Sequence, residues 1–511
     1  MARSLDGAFK KLFAGGGILF IGLVAELGIS FIAKAIIARF LGAVDYGAFS
    51  LGVTTMVFLS TISLLGLHSG IGRYLPRYDT PEQRKGVIVS GAQIALPVAV
   101  VAGVSVAILA QPIATYVFTD PSVAPIIRIF GLAIPFSALM RLTVGVVRGI
   151  QQATPRVVIK NITTPVTRFL AVAIAIVIGG DTVGLATAYV LSYVVAASVG
   201  VYYVVTRTEV LAKVKATPMH RELLSFSAPL IVSAAMAFVL TDLDTFMLGY
   251  FSSTRDVGIY NVVYPIAQLL TVGLTAFSFL FMPILSELDA EGATDEMHRI
   301  YQVVTKWLFM ATLPLFMVIA LFPEMTIAIT FGSEYVTGGL ALSFLAVAYF
   351  SHAIAGPNAN TLTSIGHTRL IMWDNLAVGI LNAVLNVALI PQYGFLGAGI
   401  ATAVSYIALN LLYSTQLYRI TGIHPFSTGL VRPGAIAVAL TATTFWITRT
   451  FFTVTIPLLV VMFALFLVAY GVIILRFGGV EEEEVMLVLS FEDRFGVDLG
   501  PLKDLAKLFI R

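Results

Sequence analysis

Two aspartates, Asp242 and Asp244, interrupt an apolar run of the chain that is long enough to form a membrane-spanning helix. A charge at the centre of such a helix costs about 2.5–3.5 kcal/mol on insertion scales, so the side chain is expected to face a cavity or a partner. On one helix the two residues point about 200° apart and cannot serve the same site. Either carboxylate is suited to carry a proton or to bind a hard cation.

A second polar pattern lies in the first apolar run, where Glu26, Ser30 and Lys34 recur every fourth residue and form one stripe, with Arg39 shortly after. The eight residues from Glu26 to Lys34 cover about 12 Å of helix, which is long for a direct ion pair. The cations of this stripe can bind an anionic group that enters a cavity. The alternative is that helix packing alone ties the charges together.

Two amides, Asn382 and Asn386, lie one helical turn apart, and Thr402 follows in the next apolar run. With the Asp244 carboxylate, their oxygens would make a suitable shell for Na⁺. Protonation of Asp244 is a competing way to couple an ion, and hydrogen bonding between helices without any ligand is a third interpretation.

Three further arginines are candidates for anion binding. Arg141 and Arg168 lie within apolar runs, where they can extend a cationic lining or reach toward phosphate headgroups. Arg73 belongs to a basic cluster beside the second run. That cluster favours a role in topology and contact with anionic lipid, although capture of a diphosphate is a sharper alternative.

The elements that must position these residues are membrane helices. The chain has 511 residues, of which 58% are hydrophobic and 12% charged, whereas soluble proteins have about 25% charged residues. Apolar runs of sufficient length for a ~30 Å hydrocarbon core recur throughout. We predict an all-α polytopic protein with fourteen spans, near 13–38, 47–67, 87–110, 124–147, 157–179, 182–205, 222–250, 257–284, 300–322, 336–362, 370–390, 395–418, 430–450 and 455–475.

The distribution of basic residues supports this count. With the N-terminus inside, 24 of the 31 Lys and Arg fall on the cytoplasmic side and only Arg39, Arg255 and Arg449 on the outside, in agreement with the positive-inside rule. Both termini are therefore predicted to be cytoplasmic. We find no removable signal peptide, no cysteine and no histidine spacing typical of a metal site.

An internal repeat relates the two halves of the chain. The sequence DYGAF at 45–49 recurs as DVGIY at 256–260, and GLATA at 184–188 recurs as GIATA at 399–403. Because six helices separate the copies, we predict two parallel six-helix lobes around a central cavity. The predicted parts are an N-lobe at 1–205, a linker at 206–221, a C-lobe at 222–419, two extra helices within 420–476, and a cytoplasmic amphipathic tail at 477–511.

The repeated segments carry a family resemblance. ARFLGAVDYGAFSL (38–51), DTFMLGYFSSTRDVGIY (244–260), GLHSGIGRYLPRY (66–78) and VRGIQQATPR (147–156) resemble motifs of Wzx-type polysaccharide flippases of the multidrug/oligosaccharidyl-lipid/polysaccharide (MOP) exporter superfamily. In that family Asp244 corresponds to the acidic position after the seventh helix, whereas Asp242 departs from the pattern and fits a residue of helix packing. The grouping of Asp244, Asn382, Asn386 and Thr402 is similar to one in lipid II flippases.

The resemblance implies a transporter rather than an enzyme. Its substrate would be a polyprenyl-diphosphate- or dolichyl-phosphate-linked oligosaccharide, moved across the cytoplasmic membrane by alternating access with H⁺ or Na⁺ coupling and no cofactor. Lys34, Arg39, Glu26, Arg73, Arg141 and Arg168 would bind the substrate. We expect a monomer without nucleic-acid partners, with glycan assembly enzymes as possible partners.

Three alternatives remain from the sequence. A lipid II flippase is the nearest, and a drug or cation antiporter of the multidrug and toxin extrusion (MATE) type is less favoured because the N-lobe is cationic. A membrane glycosyltransferase or polymerase is opposed by the short outer loops. Asp242-Leu-Asp244 does match a glycosyltransferase metal motif, but that motif belongs in a loop.

Overall fold

The computed structural model describes residues 2–451 and 456–473, and this part of the chain is helical without strands. Its α-helices are α1 Ala2–Ser63, α2 Leu67–Tyr74, α3 Pro81–Ile108, α4 Ala110–Pro112, α5 Ala124–Gly149, α6 Ala153–Arg156, α7 Thr164–Val177, α8 Thr182–Arg207, α9 His220–Thr241, α10 Leu243–Phe251, α11 Thr254–Gln268, α12 Val272–Glu291, α13 Thr294–Leu321, α14 Pro323–Thr330, α15 Gly339–Ala355, α16 Asn358–Ser364, α17 Thr368–Tyr393, α18 Phe395–Thr421, α19 Thr428–Phe451 and α20 Ile456–Ile473. The all-α prediction is confirmed. The predicted tail at 477–511 lies outside the described residues.

Eleven segments of the described chain are long and apolar enough to cross a membrane. The first, Gly22–Ser63, has 42 residues and is about 63 Å long as a helix, enough for two of the predicted spans. The predicted seventh span is divided between α9 and α10, and the fourteenth lies in α20, where Val461–Ile473 is a shorter apolar helix outside the eleven segments. These differences explain how fourteen predicted spans give eleven segments. The count of fourteen stays a prediction.

Two backbone breaks shape the segments that carry the candidate site. In α1 the helical geometry is interrupted at Gly42, which has φ 76°, a value that favours glycine. The amide of the next residue, Ala43, donates to Glu334 Oε1 at 2.9 Å. The second break is at Asp242, with φ −131° and ψ −7°, between α9 and α10. The side chains before and after Asp242 therefore belong to two helices and do not follow one helical periodicity.

The chain divides into two compact units. The first unit consists of the residues up to Val262 together with Thr330–Tyr335 and Ala383–Ala398, and the second consists of Val263–Ile329, Val336–Asn382 and the residues from Gly399 onward. In the first unit the rings of Phe49, Phe130 and Tyr189 meet edge to face with centroids 5.2–5.7 Å apart. These aromatic contacts join α1, α5 and α8.

The repeated motifs DYGAF and DVGIY contact each other through their glycines within the first unit. A Cβ on Gly47 would overlap the carbonyl oxygen of Thr254, and a Cβ on Gly258 would overlap that of Ala43. The contact is reciprocal, as expected for two copies of one motif. Only glycine permits backbones to approach so closely in a membrane protein.

The second unit has its own core. One cluster of buried apolar residues includes Phe281, Leu285, Tyr301 and Leu417, and another includes residues of α13, α15, α19 and α20. Two buried tyrosine hydroxyls of this unit donate to backbone carbonyls, that of Tyr301 to Ala355 and that of Tyr470 to Met310 at 2.8 Å. The second unit therefore has a separate packed interior.

Candidate functional site

Cations from three helices of the first unit approach one another. Lys34 lies on α1, Arg141 on α5 and Arg168 on α7. Lys34 is exposed and the two arginines are half-buried, so a ligand can reach each of them. Lys34 lies within electrostatic range of Arg168. We call Lys34, Arg141 and Arg168 the cationic cluster.

Neutral side chains orient the two arginines. Arg141 Nη1 donates to Thr61 Oγ1 at 2.9 Å. Arg168 Nη2 donates to the Tyr193 hydroxyl at 3.3 Å, and its Cζ atom lies 4.0 Å from the centroid of the Tyr189 ring. The face of an aromatic ring attracts a cation. These contacts position the guanidinium groups without neutralising them.

The cationic cluster carries net positive charge. Within residues 2–451 and 456–473, no carboxylate lies within ion-pair distance of its three members. The Arg168 Nε atom is buried without a hydrogen-bond acceptor. Asp242 lies within electrostatic range of Lys34 and Arg141 but makes its hydrogen bond with Thr241 at 2.6 Å. Guanidinium groups with unused donors are suited to phosphate.

Glu26 lies beside the cationic cluster but has a different partner. Its Oε2 atom accepts a hydrogen bond from Asn161 and lies 3.8 Å from Lys160 Nζ. Glu26 also acts electrostatically on Arg168. Glu26 therefore pairs with Lys160 and not with Lys34, in agreement with the long helical distance between Glu26 and Lys34.

Two of the predicted substrate ligands are engaged elsewhere. Arg39 Nε donates to the carbonyl of Thr330 at 3.1 Å. Arg73 is exposed, and its Cζ atom lies 4.2 Å from the centroid of the Phe226 ring. These contacts of Arg39 and Arg73 do not involve the cationic cluster.

Asp244 occupies a separate, buried environment. It lies in the first turn of α10 and is 5% exposed. Its carboxylate accepts from the Tyr260 hydroxyl and from Asn386 Nδ2 at 2.6 Å. The position near a helix N-terminus also favours a negative charge. Both of these donors are neutral. A proton or cation that binds to Asp244 therefore competes with their hydrogen bonds.

The other predicted cation ligands are buried as well. Asn382 is 4% exposed, Asn386 is fully buried and Thr402 is 1% exposed. The structure brings Asn386 to Asp244 with its amide N–H toward the carboxylate, whereas Asn382 and Thr402 belong to the second unit. A flip of the Asn386 amide would present its oxygen instead. Asp244 and the reversed amide would then supply two oxygens, and the Na⁺ shell with Asn382 and Thr402 stays a prediction.

Sequence reasoning missed several residues of these two environments. Helical spacing favours helix packing for Asp242, but the break at this position places it within electrostatic range of the cationic cluster. The aromatic partners Tyr189 and Tyr193 were also missed. Tyr260 could have been found, since it ends the repeated DVGIY motif.

Comparison with solved structures identifies the fold. The chain is similar to "Lipid II flippase MurJ, inward closed conformation", with a TM-score of 0.72 and 12% identity over 90% of this chain and 99% of that one. It is also similar to an inward-facing "multidrug resistance MATE family transporter of the MOP superfamily", with a TM-score of 0.63 and 17% identity over 78% and 95%. The chain therefore shares the fold of these two transporters.

Comparison with models of protein families assigns the chain to a family. The model for "Polysaccharide biosynthesis protein" matches residues 12–289, and the MatE model matches residues 229–388. The chain belongs to the polysaccharide biosynthesis protein family, which confirms the resemblance found in the sequence. Among curated proteins it is 24% identical to "Probable low-salt glycan biosynthesis flippase Agl15" of Haloferax volcanii, over 78% of this chain and 82% of that protein.

Proposed function

We propose that this protein is a flippase that translocates a polyprenyl-diphosphate- or dolichyl-phosphate-linked oligosaccharide across the cytoplasmic membrane by alternating access. The observation that carries the proposal is the cationic cluster, since three basic side chains without ion-paired carboxylates are suited to bind an anionic ligand. The names of the related proteins agree with a membrane transporter rather than an enzyme. Family membership adds polysaccharide biosynthesis.

The phosphate groups would bind at the cationic cluster. Arg141 and Arg168 are held with donors available, so they can form charge-assisted hydrogen bonds with phosphate oxygens. Lys34 adds an exposed positive charge. The glycan would occupy hydrated space beside these groups, and the prenyl chain would remain among the lipid tails.

Asp244 would couple transport to an ion gradient. Its burial and its neutral hydrogen-bond donors make the loading of a cation or a proton energetically important. A bound ion would change the hydrogen bonds to Tyr260 and Asn386 and so favour one conformation. Asn382 and Thr402 are the further candidates for ligands.

The proposal includes the location of the protein and its orientation in the membrane. The protein is a multi-pass membrane protein. We infer that it lies in the cytoplasmic membrane with both termini inside, because basic residues are concentrated on that side. A monomeric state and cooperation with glycan assembly enzymes are parts of the same proposal.

A vesicle assay tests the proposal. Purified protein is incorporated into vesicles that contain a fluorescent polyprenyl-diphosphate-linked oligosaccharide, and the fraction of glycan accessible to an external glycosidase is followed in time. We expect transport with the wild type and a strong loss with Arg168→Gln. The control is Arg84→Gln, because Arg84 is a cation already paired with Glu209 at 3.1 Å. Equal transport by Arg168→Gln and wild type would contradict the role of the cationic cluster.

The second candidate is a lipid II flippase, favoured by the TM-score of 0.72 with MurJ. The same assay with a peptidoglycan precursor in place of the oligosaccharide distinguishes the two. A faster rate with lipid II would favour the second candidate. Transport of a hydrophobic organic cation would instead favour a MATE-type antiporter, which the positive charge of the cationic cluster opposes.

A further inference from the structure

A buried carboxylate in the second unit lies apart from the residues discussed so far. Asp374 is near the start of α17 and is 7% exposed. Gln416, near the end of α18, donates through Nε2 to Asp374 Oδ1 at 2.8 Å. The pair therefore connects two helices through one hydrogen bond.

The other two oxygen atoms of this pair have no donor. Asp374 Oδ2 and Gln416 Oε1 are both buried and lack a hydrogen-bond partner. An ionised carboxylate and an amide oxygen are acceptors only, so they cannot satisfy each other. Across residues 2–451 and 456–473, no basic side chain lies within ion-pair distance of Asp374. A buried charge in this condition is costly.

We propose that Asp374 and Gln416 form a proton-binding site. A single proton on Oδ2 turns this atom into a donor for Gln416 Oε1 and completes a cyclic acid–amide pair with two hydrogen bonds. One proton thus satisfies both remaining oxygens and removes the buried charge. A metal ion would need about six oxygen ligands, whereas the neighbouring Asn375 oxygen is already engaged by the Tyr413 hydroxyl at 3.0 Å.

Among the described residues, no group of opposite charge forms an ion pair with Asp374. Tyr413 lies within electrostatic range of Asp374. The titratable and charged groups of the surrounding helices are, besides Asp374 itself, Tyr406, Tyr413, Tyr418 and Arg419 on α18; Arg369 and Tyr393 on α17; Asp295, Glu296, His298, Arg299, Tyr301 and Lys306 on α13; and Glu287, Asp289 and Glu291 on α12. Arg369, Arg419, Glu287 and Asp289 are exposed. The proton is therefore the simplest source of compensation for the Asp374 carboxylate.

The proton-binding site is a joint between α17 and α18. With the proton bound, two hydrogen bonds hold the helices together. After its release, Oδ2 and Oε1 are two acceptors on adjacent groups, and the joint is weakened. The site is independent of Asp244, which belongs to the other unit and has different hydrogen-bond partners.

Infrared spectroscopy of the full chain in lipid vesicles tests this site directly. The carbonyl stretch of a protonated carboxylic acid is expected in the wild type. The same band should be absent from Asp374→Asn and retained in Asp244→Asn, the control for the other buried aspartate. An unchanged band in Asp374→Asn would overturn the proposal, whatever the transported substrate is.

Two further measurements test the acid–amide pair itself. Asp374→Asn can form both hydrogen bonds with Gln416, so its thermal midpoint is expected to match that of the wild type; a fall of several degrees would contradict the acid–amide pair. In Gln416→Met the carbonyl band is expected at higher frequency, because the acid loses its hydrogen-bonded partner. Loss of the wild-type band on addition of Na⁺ would show a cation in place of the proton and would overturn the proposal.

Discussion

Asp242 and Asp244 are two residues apart, yet the structure puts them in opposite surroundings. Asp244 is almost fully buried and accepts hydrogen bonds from the neutral groups of Tyr260 and Asn386. Asp242 is half-buried, bonds to the adjacent Thr241, and lies within electrostatic range of Lys34 and Arg141. The helix break at Asp242 produces this separation.

The difference indicates two roles for one residue type. Asp244 has fixed hydrogen-bond partners, so a change in its charge must alter those bonds. Asp242 has no fixed basic partner among the described residues, so it lowers the positive potential that an incoming anion meets at the cationic cluster. Under the proposed function, Asp244 would couple an ion, whereas Asp242 would lower the affinity for an anionic substrate.

The largest effect is expected when the cationic cluster loses both guanidinium groups. Each hydrogen bond to a charged group is worth about 1.5–3 kcal/mol, so Arg141→Gln/Arg168→Gln should reduce the transport rate at low substrate by about 100-fold or more. The vesicle assay measures this loss. Activity within about threefold of wild type would show that the cationic cluster does not bind the substrate.

The next largest effect is a difference in the free energy of unfolding between variants of the two aspartates. Asp244→Ala takes an acceptor from Tyr260 and Asn386 and should lower the free energy of unfolding by about 1–3 kcal/mol. Asp242→Ala should have a smaller cost, since its hydrogen bond joins an adjacent exposed residue. Thermal unfolding of the two variants in the same detergent compares them. Equal destabilisation would remove the distinction between the two environments.

Asp242→Asn is expected to strengthen anion binding moderately, whereas the arginine substitutions weaken it. Removal of this negative charge raises the potential at Lys34 and Arg141, so a diphosphate should bind about threefold to tenfold more tightly at low salt. The gain should shrink as ionic strength rises. Titration of the protein with a prenyl diphosphate at two salt concentrations measures both changes. Weaker binding by Asp242→Asn would show that this residue supports the anion site.

The smallest effect is expected for Glu26→Gln. The Glu26 carboxylate is paired with Lys160 and bonded to Asn161, and the Lys160 side chain is 48% exposed. Ion pairs of this kind contribute about 0–1 kcal/mol, so the transport rate should stay within about threefold of wild type. A loss comparable to that of Arg168→Gln would place Glu26 in the substrate site itself.

The sequence was sufficient for the fold and for part of the site. Apolar runs of membrane length identify helices because hydrocarbon leaves the backbone few alternatives. Helical spacing and the repeat brought attention to Lys34, Asp244 and Asn386, and the last two are hydrogen bonded. These inferences depend on local geometry, which the sequence encodes directly.

The remaining features depend on tertiary contacts. No Gly or Pro marks the break at Asp242, so a continuous helix was the natural expectation. The contacts of Arg39 with Thr330 and of Arg73 with Phe226 could not be predicted from charge and sequence position. The Asp374–Gln416 pair joins residues 42 positions apart, and no local pattern predicts such a contact.

Binding of a prenyl diphosphate tests the central claim most directly. The dissociation constants of a short prenyl diphosphate and of the prenyl alcohol of equal length are measured for the wild type and for Lys34→Ala/Arg141→Gln/Arg168→Gln. We predict that the wild type strongly prefers the diphosphate and that the triple variant loses this preference. Equal affinity of the wild type for both ligands, or an unchanged preference in the triple variant, would contradict the claim that the cationic cluster binds phosphate.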